Sequence, residues 1–342
     1  MYMNDTNVFI SQKELFSLYN HAGSPDTQGQ GLPFRIPRSL AERFPEKNNA
    51  VIRQFIPSPQ ETVILPYESP DPLSEQTFRK MPWLVHQYNS RVLIRATDQC
   101  AAYCRFCYRR AIQTQVSGFL SNTEIANLCE YIQGHKSIRE ILISGGDPLF
   151  GTDTWLYKLL SGIRTASKQS IIRICTRIPI VLPERITDSL LATLKEFGPL
   201  VFVVHCNHAD ELDKQSRTAL DTIRQHGFYV VSQTVLLKSI NDSVSALINL
   251  FTELYRLGIL PYYLFQGDLT QGTSHFRTPL SKGLSLYNEL RKNLSRIELP
   301  RYAVDAPGGL GKIYLPKGCT QNGDGNWLLK TPDGKTALYP EE

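Results

Sequence analysis

Three cysteines stand close together in the segment Cys100-Ala-Ala-Tyr-Cys104-Arg-Phe-Cys107. Three thiolates on one tight loop can hold three irons of a four-iron cluster and leave the fourth iron open. S-adenosylmethionine (SAM) could chelate that iron, and an electron from the cluster would then cleave the sulfonium to a 5′-deoxyadenosyl radical. A structural zinc ion normally takes four ligands, and no other Cys or His stands nearby at zinc-finger spacing. The spacing therefore predicts a [4Fe-4S] cluster.

A second segment, Ser144-Gly-Gly-Asp147-Pro148, places two glycines next to a carboxylate. Glycines let a backbone approach a ligand closely, so the amides and carbonyls of Ser144, Gly145, Gly146 and Asp147 could grip the amino group of SAM. By itself, Gly-Gly-Asp-Pro is more often an ordinary turn. Its position one predicted strand after the cysteines favours SAM binding.

Regular apolar segments must position these residues. Runs that predict strands occupy residues 91–96, 140–144, 171–175, 200–205, 228–232 and 259–265. Between them, apolar residues recur with the 3.6-residue period of a helix, and Gly198, Gly227 and Gly258 follow three of these helices where a left-handed cap is expected. The six strand–helix units predict an α/β fold, a partial (βα)6 TIM-like barrel with a parallel sheet.

The polar residues come directly after the predicted strands, where parallel barrels carry their active sites. Among them are His205, Asn207 and Gln233, which follow two neighbouring strands. We expect these three side chains to lie near SAM at the barrel mouth. Satisfied polar groups of the core would have the same pattern.

Composition excludes several classes of protein. In 342 residues, 42% are hydrophobic and 20% charged, and the net charge of +5 comes from scattered basic residues. That distribution does not indicate nucleic-acid binding, and no apolar run approaches the length of a membrane span. The first residues lack the features of a signal peptide, and seven cysteines argue against a disulfide framework. We expect a cytoplasmic protein that binds neither nucleic acid nor membrane.

With these motifs in register, the sequence resembles the lysine 2,3-aminomutase family, radical SAM enzymes that also use pyridoxal 5′-phosphate (PLP). The resemblance runs from about residue 32 to residue 315. It is carried by RVLIRATDQCAAYCRFCYRR, ILISGGDPL, RICTRIPIVLPERIT, HCNHADEL, SQTVLLKSIND, PYYLFQGDLTQGTSHFRTP and VDAPGGLGK. It implies an isomerase that moves the amino group of L-lysine from C2 to C3 and so makes β-lysine.

The resemblance also implies how PLP is held. Lys312, in the glycine-rich segment that ends VDAPGGLGK, would bind PLP covalently, because a desolvated lysine amine is nucleophilic. Arg91 matches an arginine that grips the PLP phosphate, a task suited to a guanidinium. Tyr262 matches an aromatic residue beside the PLP ring.

Substrate contacts follow from the same resemblance. Arg109 matches the residue that pairs with the lysine carboxylate, a forked and bidentate task. Asp268 and Asp305 match two aspartates that hold the distant ε-ammonium, and either alone would more often be a loop aspartate that caps a turn. We also expect an electron donor such as a flavodoxin or ferredoxin to reduce the cluster.

Three regions are predicted along the chain. Residues 1–88 would form a helical and irregular covering extension, in which Ser39-Leu-Ala-Glu42 predicts a capping box at a helix start. Residues 89–280 would form the radical SAM partial barrel. Residues 281–342 would form a C-terminal segment that carries the PLP lysine.

Three positions depart from the family pattern. Gln87 stands where well-studied members have a second phosphate-binding arginine, Phe106 replaces a histidine, and Phe265 replaces a tyrosine. These departures bear on how tightly PLP binds. Only Cys319 follows Lys312, so the zinc-binding cysteines of the family's C-terminal extension have no counterpart here. A homo-oligomer therefore stays open.

Alternatives stay open at this point. An aminomutase for glutamate or arginine is one, although two aspartates would repel an anionic side chain. A non-catalytic iron–sulfur protein is another. The segment FRIPRSLAERF resembles the branch that serves elongation factor P, whereas VDAPGGLGK resembles free-standing aminomutases. The sequence does not decide which pathway uses β-lysine.

Overall fold

The computed structural model describes residues 8–18, 32–46, 49–111 and 118–341. Parts of the predicted N-terminal extension lie outside the described residues. They include the first seven residues, where the sequence predicts no signal peptide. No helix in the described ranges is long and apolar enough to cross a membrane.

The secondary structure alternates between strands and helices from residue 91 onward. The strands are β1 (Phe9–Ile10), β2 (Ile36–Pro37), β3 (Arg79–Met81), β4 (Leu84–Tyr88), β5 (Arg91–Thr97), β6 (Glu140–Gly145), β7 (Ile171–Thr176), β8 (Leu200–His205), β9 (Tyr229–Val235), β10 (Leu260–Phe265), β11 (Arg301–Ala306), β12 (Gly311–Tyr314), β13 (Cys319–Gln321), β14 (Trp327–Lys330) and β15 (Thr336–Tyr339). The helices are α1 (Gln12–Leu18), α2 (Arg38–Arg43), α3 (Asn122–Gly134), α4 (Asp153–Ala166), α5 (Ile178–Val181), α6 (Asp188–Lys195), α7 (Lys214–Gln225), α8 (Val244–Arg256) and α9 (Leu280–Asn293). Short 3₁₀ helices are Ile52–Gln54, Pro59–Thr62, Glu75–Phe78, Pro148–Phe150, Pro183–Arg185, Ala209–Glu211, Ser274–Phe276 and Pro307–Gly309.

Within the described ranges, one ten-stranded sheet forms the centre, in the order β12-β11-β10-β9-β8-β7-β6-β5-β4-β3. Neighbouring strands from β5 to β11 are parallel. Strands β3, β4 and β12 extend the two edges antiparallel. All six predicted strands are present as β5 to β10, each followed by a helix, which confirms the partial (βα)6 barrel. Strand β11 adds a seventh parallel strand.

Local sequence explains where most barrel helices begin. Helices α3, α4, α6, α7 and α8 each start after a side chain that accepts a hydrogen bond from the first turn and satisfies an otherwise unpaired N–H group. These caps are Ser121, Thr152, Thr187, Asp213 and Ser243.

Two local predictions need correction. The capping box at Ser39 is wrong, because α2 begins at Arg38 after Pro37 without a side-chain cap, and the Ser39 hydroxyl instead donates to Glu184 at 2.9 Å. Left-handed glycines follow α7 and α8, at Gly227 and Gly258, but Gly198 is not left-handed. Pro199 comes next, and a residue before proline is confined to extended conformations.

The edges of the sheet meet through side chains. The Gln87 amide on β4 donates to the Gly309 carbonyl at 2.8 Å, and the Lys312 backbone N–H on β12 donates to the Tyr88 hydroxyl at 3.2 Å. Gly311, with φ +84°, permits this approach, because a Cβ there would lie 2.6 Å from the Tyr88 oxygen. The barrel is thus open in its backbone ladder but bridged at this seam.

A segment that we call the strap, residues 58–78, crosses the carboxyl ends of the barrel strands. Three buried glutamates attach it to arginines of the loops after the strands. The pairs are Glu61 with Arg105 and Arg110, Glu68 with Arg277, and Glu75 with Arg109. Buried ion pairs of this kind fix one geometry, because breaking one leaves an uncompensated charge.

Candidate active site

With one exception, the residues that the sequence predicts for the chemistry line one cavity of about 480 Å³. The set comprises Cys100, Cys104, Cys107, Ser144, Gly145, Gly146, Asp147, His205, Gln233, Arg91, Tyr262, Lys312, Arg109, Asp268 and Asp305. The exception is Asn207, which is fully buried and contacts His205 instead of lining the cavity. The three thiols lie beyond the carboxyl end of β5, and Arg91 is the first residue of the same strand. A strand of that length spans about 20 Å, so the cavity runs along the inside of the barrel.

The cysteine loop is held by backbone hydrogen bonds within itself and to the N-terminal extension. The Cys107 N–H donates to the Cys104 carbonyl at 3.1 Å, and the Arg105 N–H donates to the Gln54 carbonyl at 2.8 Å. Burial raises the pKa of all three thiols, that of Cys107 to about 11. In the described part of the chain, no three His, Cys, Asp or Glu side chains are arranged around a single metal ion. Cluster cysteines, by contrast, each bind a different iron.

The glycine loop after β6 packs against the cysteine loop. A Cβ on Gly145 would lie 2.2 Å from the Thr97 carbonyl oxygen, and one on Gly146 would lie 2.1 Å from that of Gln99. Only glycine therefore fits at these positions. The Asp147 carboxylate accepts hydrogen bonds from the Thr176 hydroxyl at 2.8 Å and the Arg177 N–H at 2.6 Å, which tie the ends of β6 and β7 together.

His205 and Gln233 stand in register on β8 and β9. His205 Nε2 lies 3.0 Å from Asn207 Oδ1, and that oxygen also accepts from the Val235 N–H at 2.9 Å. Because Oδ1 is an acceptor, Nε2 must carry the imidazole hydrogen, and Nδ1 keeps a lone pair. Burial, aided by the Arg177 charge, lowers the pKa of His205 to about 3, so the ring is neutral.

Lys312 and Asp305 form an ion pair across strands β12 and β11, where they are in register. Lys312 Nζ donates to the two Asp305 oxygens at 2.9 and 2.7 Å. The ammonium also lies 4.1 Å from the centroid of the Phe265 ring. Asp305, predicted to hold the substrate ammonium, therefore holds that of Lys312 in this structure.

Arg91 lies at the opposite end of the cavity from the thiols. Its Nε is buried and has no hydrogen-bond partner in the part of the chain that the structure describes, and its guanidinium carbon lies 4.2 Å from the centroid of the Tyr88 ring. Gln87, which replaces a phosphate-binding arginine of the family pattern, is engaged by the Gly309 carbonyl.

Arg109 is held by the strap. Its Nη2 and Nε donate to the two Glu75 oxygens at 2.7 and 3.3 Å, and its Nη1 donates to the Ser144 hydroxyl at 3.2 Å. Burial opposes the charge on Arg109, but Glu75 raises its pKa above the usual value. The Arg109 guanidinium thus donates to Glu75 through two of its nitrogens and to Ser144 through the third.

Asp268 differs from the other site carboxylates because its side chain accepts no hydrogen bond within the described ranges. Burial, and then the nearby charge of Asp305, raise its pKa to about 8, while Lys312 and Arg109 oppose the rise. A partly desolvated carboxyl that lacks a partner is a site for a cation.

Two residues of this site were not assigned roles from the sequence. Glu75 is a single acid in an irregular proline-rich segment, and no local pattern marks it. Arg177 follows β7 directly, and its Nη1 donates to Cys104 Sγ at 2.8 Å. Either contact requires the folded chain.

Comparison with known proteins identifies the family of this chain. The sequence model of the Radical SAM superfamily matches residues 94–251. A putative L-lysine 2,3-aminomutase of Treponema pallidum is 43% identical over 266 residues, 78% of this chain and 75% of the relative. The chain belongs to the lysine 2,3-aminomutase family. Another relative in this family, the L-lysine 2,3-aminomutase of Methanococcus maripaludis, is 38% identical over 91% of this chain and 72% of its own. A glutamate 2,3-aminomutase of Clostridioides difficile is 33% identical over 80% of this chain and 65% of its own.

Membership of this family brings three cofactors, a [4Fe-4S] cluster, SAM and PLP. The described residues fit them. Three half-buried thiols with raised pKa values gain from ligating iron, because metal binding stabilises the thiolate. The orphaned Nε of Arg91 suits the PLP phosphate. Lys312 is the amine in the cavity that can bind PLP covalently, and Gly145 and Gly146 leave room for SAM beside the cysteines.

Proposed function

We propose that this protein is a lysine 2,3-aminomutase, an isomerase that moves the amino group of L-lysine from C2 to C3. The observation that carries the choice of substrate is the unpartnered Asp268 carboxylate, with Asp305 beside it, in the same cavity as Arg109. The family includes both lysine and glutamate aminomutases. Their substrates share the α-amino and carboxylate groups, so the enzymes must distinguish them by the charge at the end of the substrate side chain. Two carboxylates attract an ammonium group and repel a carboxylate.

Each end of the cavity has a task in this proposal. Cys100, Cys104 and Cys107 hold the cluster. The glycine loop, His205 and Gln233 border SAM, and His205 offers its Nδ1 lone pair as an acceptor. At the other end, Arg91 takes the PLP phosphate and Tyr262 flanks the ring.

Lys312 must lose a proton before its amine can act as a nucleophile. Asp305 Oδ2, 2.7 Å from Nζ, can accept that proton. Asp305 would then pass this proton to water and regain its negative charge. With Lys312 uncharged, the Asp305 carboxylate can join Asp268 around the substrate ammonium. Arg109 would bind the substrate carboxylate through Nη1, since Glu75 occupies the other two nitrogens.

When bound, the cluster and SAM supply the radical that removes a hydrogen atom from the substrate, and PLP carries the migrating nitrogen. The protein contributes position and exclusion of water. The strap lies over the carboxyl ends of the strands, and its Leu73 and Glu75 line the cavity. A covered site prevents water and stray hydrogen donors from quenching a radical.

The wider setting belongs to the same proposal. Reduction of the cluster needs an electron donor such as a flavodoxin or ferredoxin, and the cysteines among the described residues are free thiols, as expected in the cytoplasm. We keep the division into residues 1–88, 89–280 and 281–342. Use of β-lysine for elongation factor P and assembly into a homo-oligomer remain hypotheses.

The deciding experiment is anaerobic incubation of the reconstituted enzyme with L-lysine, SAM, PLP and dithionite, with products resolved by chiral chromatography. We expect β-lysine, and none from the Cys104→Ala enzyme, which lacks a cluster ligand. Conversion of glutamate in preference to lysine would overturn the substrate assignment. SAM cleavage without any amino acid product would overturn the aminomutase reaction.

A further inference from the structure

An arginine donates directly to one of the cluster cysteines. Arg177 follows β7, and its Nη1 lies 2.8 Å from Cys104 Sγ. The residues lie 73 positions apart in sequence. Arginine stays protonated in proteins, so the guanidinium is cationic.

Both Nη atoms of the guanidinium are engaged, whereas its Nε is buried without a hydrogen-bond partner among the described residues. Nη2 donates to Gln54 Oε1 at 2.6 Å and to Glu211 Oε2 at 3.1 Å. Phe55 and Phe106 pack against it, with ring centroids 4.6 and 5.6 Å from the guanidinium carbon. Little motion is left to Arg177.

Glu211 is the counter-charge of this arginine and is fully buried. Its Oε1 accepts hydrogen bonds from the Gln54 amide at 2.8 Å and from the Asn207 N–H at 3.1 Å. A buried acid bound this closely has one orientation. The Arg177 cation is therefore held in contact with Cys104. The Glu211 anion is held behind Arg177, which separates it from the Cys104 sulfur.

We propose that Arg177 is a positioning residue that raises the reduction potential of the cluster through Cys104, and that Glu211 both orients it and moderates its charge. This proposal rests on the proposed function, because it requires the cluster to be bound by Cys104. Reduction adds one electron to a buried group, so a nearby cation stabilises the reduced state more than the oxidised one. Hydrogen bonds to cluster sulfur and local charge are known determinants of such potentials.

The test is an anaerobic redox titration, with dithionite as reductant, of the reconstituted enzyme with PLP but without SAM and lysine. The cluster signal is followed by electron paramagnetic resonance, and iron is counted separately. Arg177→Gln should move the midpoint potential to more negative values, and Arg177→Lys, which keeps the charge, should recover part of the shift. Glu211→Gln should move the potential in the opposite direction. Arg164→Gln is the matched control, because Arg164 binds carbonyls at the other end of the barrel, such as that of Ser170.

The outcomes separate this inference from the proposed function. If Arg177→Gln keeps its iron and has the wild-type potential, the inference is wrong although the cluster assignment stands. If Arg177→Gln fails to hold a cluster, the potential of the Glu211→Gln enzyme becomes the test. A wild-type potential in Glu211→Gln would then overturn the inference. A wild-type protein that binds no four-iron cluster would instead refute the proposed function. Equal shifts in Arg164→Gln would show a general effect of losing an arginine from the barrel and would also overturn the inference.

Discussion

Replacement of Asp268 by asparagine tests how the enzyme recognises lysine. Asp268 has no partner among the described residues, and burial together with Asp305 raises its pKa to about 8. Below that pH the carboxyl is protonated, so an ammonium group can bind there only by displacing a proton. Asparagine keeps the shape of the side chain and has no proton to displace.

The size of the effect follows from the pKa. One pKa unit corresponds to about 1.4 kcal/mol, or a factor of about ten in affinity. We expect lysine affinity to rise about tenfold per pH unit between roughly pH 6 and pH 8 and to level off above, because more of Asp268 is ionised. The Asp268→Asn enzyme should lose this slope. At about pH 8 it should bind lysine at least about tenfold more weakly, since a charge-assisted hydrogen bond contributes about 1.5–3 kcal/mol.

The assay is equilibrium binding of labelled lysine to the anaerobic enzyme with cluster and PLP but without SAM, so that no turnover occurs. Norleucine is the matched ligand, because it lacks the ε-ammonium and shares the α-amino and carboxylate groups. Effects of pH on those groups cancel in the ratio of the two affinities. Two results would show that Asp268 does not recognise the ε-ammonium of lysine. One is the same pH dependence for both ligands in the wild-type enzyme, and the other is an unchanged preference for lysine in Asp268→Asn.

Three further changes test other parts of the site. Lys312→Ala should keep the iron content but lose the PLP that borohydride fixes to the protein, and labelling of a different lysine would contradict this. Arg91→Gln should weaken PLP binding about ten- to hundredfold, because a contact to phosphate of about 1.5–3 kcal/mol is lost. Absorbance titration measures this, and exposed Arg139, changed to Gln, should bind PLP normally. Glu61→Gln should destabilise the fold by about 3–5 kcal/mol, because two buried arginines lose their partner; a urea midpoint no lower than that of Glu14→Gln, which alters an exposed pair, would refute this.

Much of the fold could be predicted from local sequence because periodicity reports which face of an element is buried. The six strands from β5 to β10 are found where apolar runs predicted them, and Leu156, Leu159, Leu160 and Ile163 form the buried face of α4. The cysteine spacing and the Gly-Gly-Asp segment are likewise local signals. Each of these two signals predicted its chemistry because the residues that carry it lie together in one short segment of the chain. The seventh parallel strand, β11, was missed because Arg301 and Asp305 limit its apolar run to three residues, Tyr302 to Val304.

The tertiary structure alone decided which charges face one another. Arg109 pairs with Glu75, 34 residues away, and Arg177 with Cys104, 73 residues away. Asp305 holds Lys312 because β11 and β12 place them in register. The sequence does not distinguish a charged side chain that water solvates from one that a buried partner neutralises. The electrostatic energy of the side chain depends on burial and on distance, which only the folded structure defines. The sequence by itself determined the kind of chemistry, and the fold determined which ion pairs hold the residues in place for it.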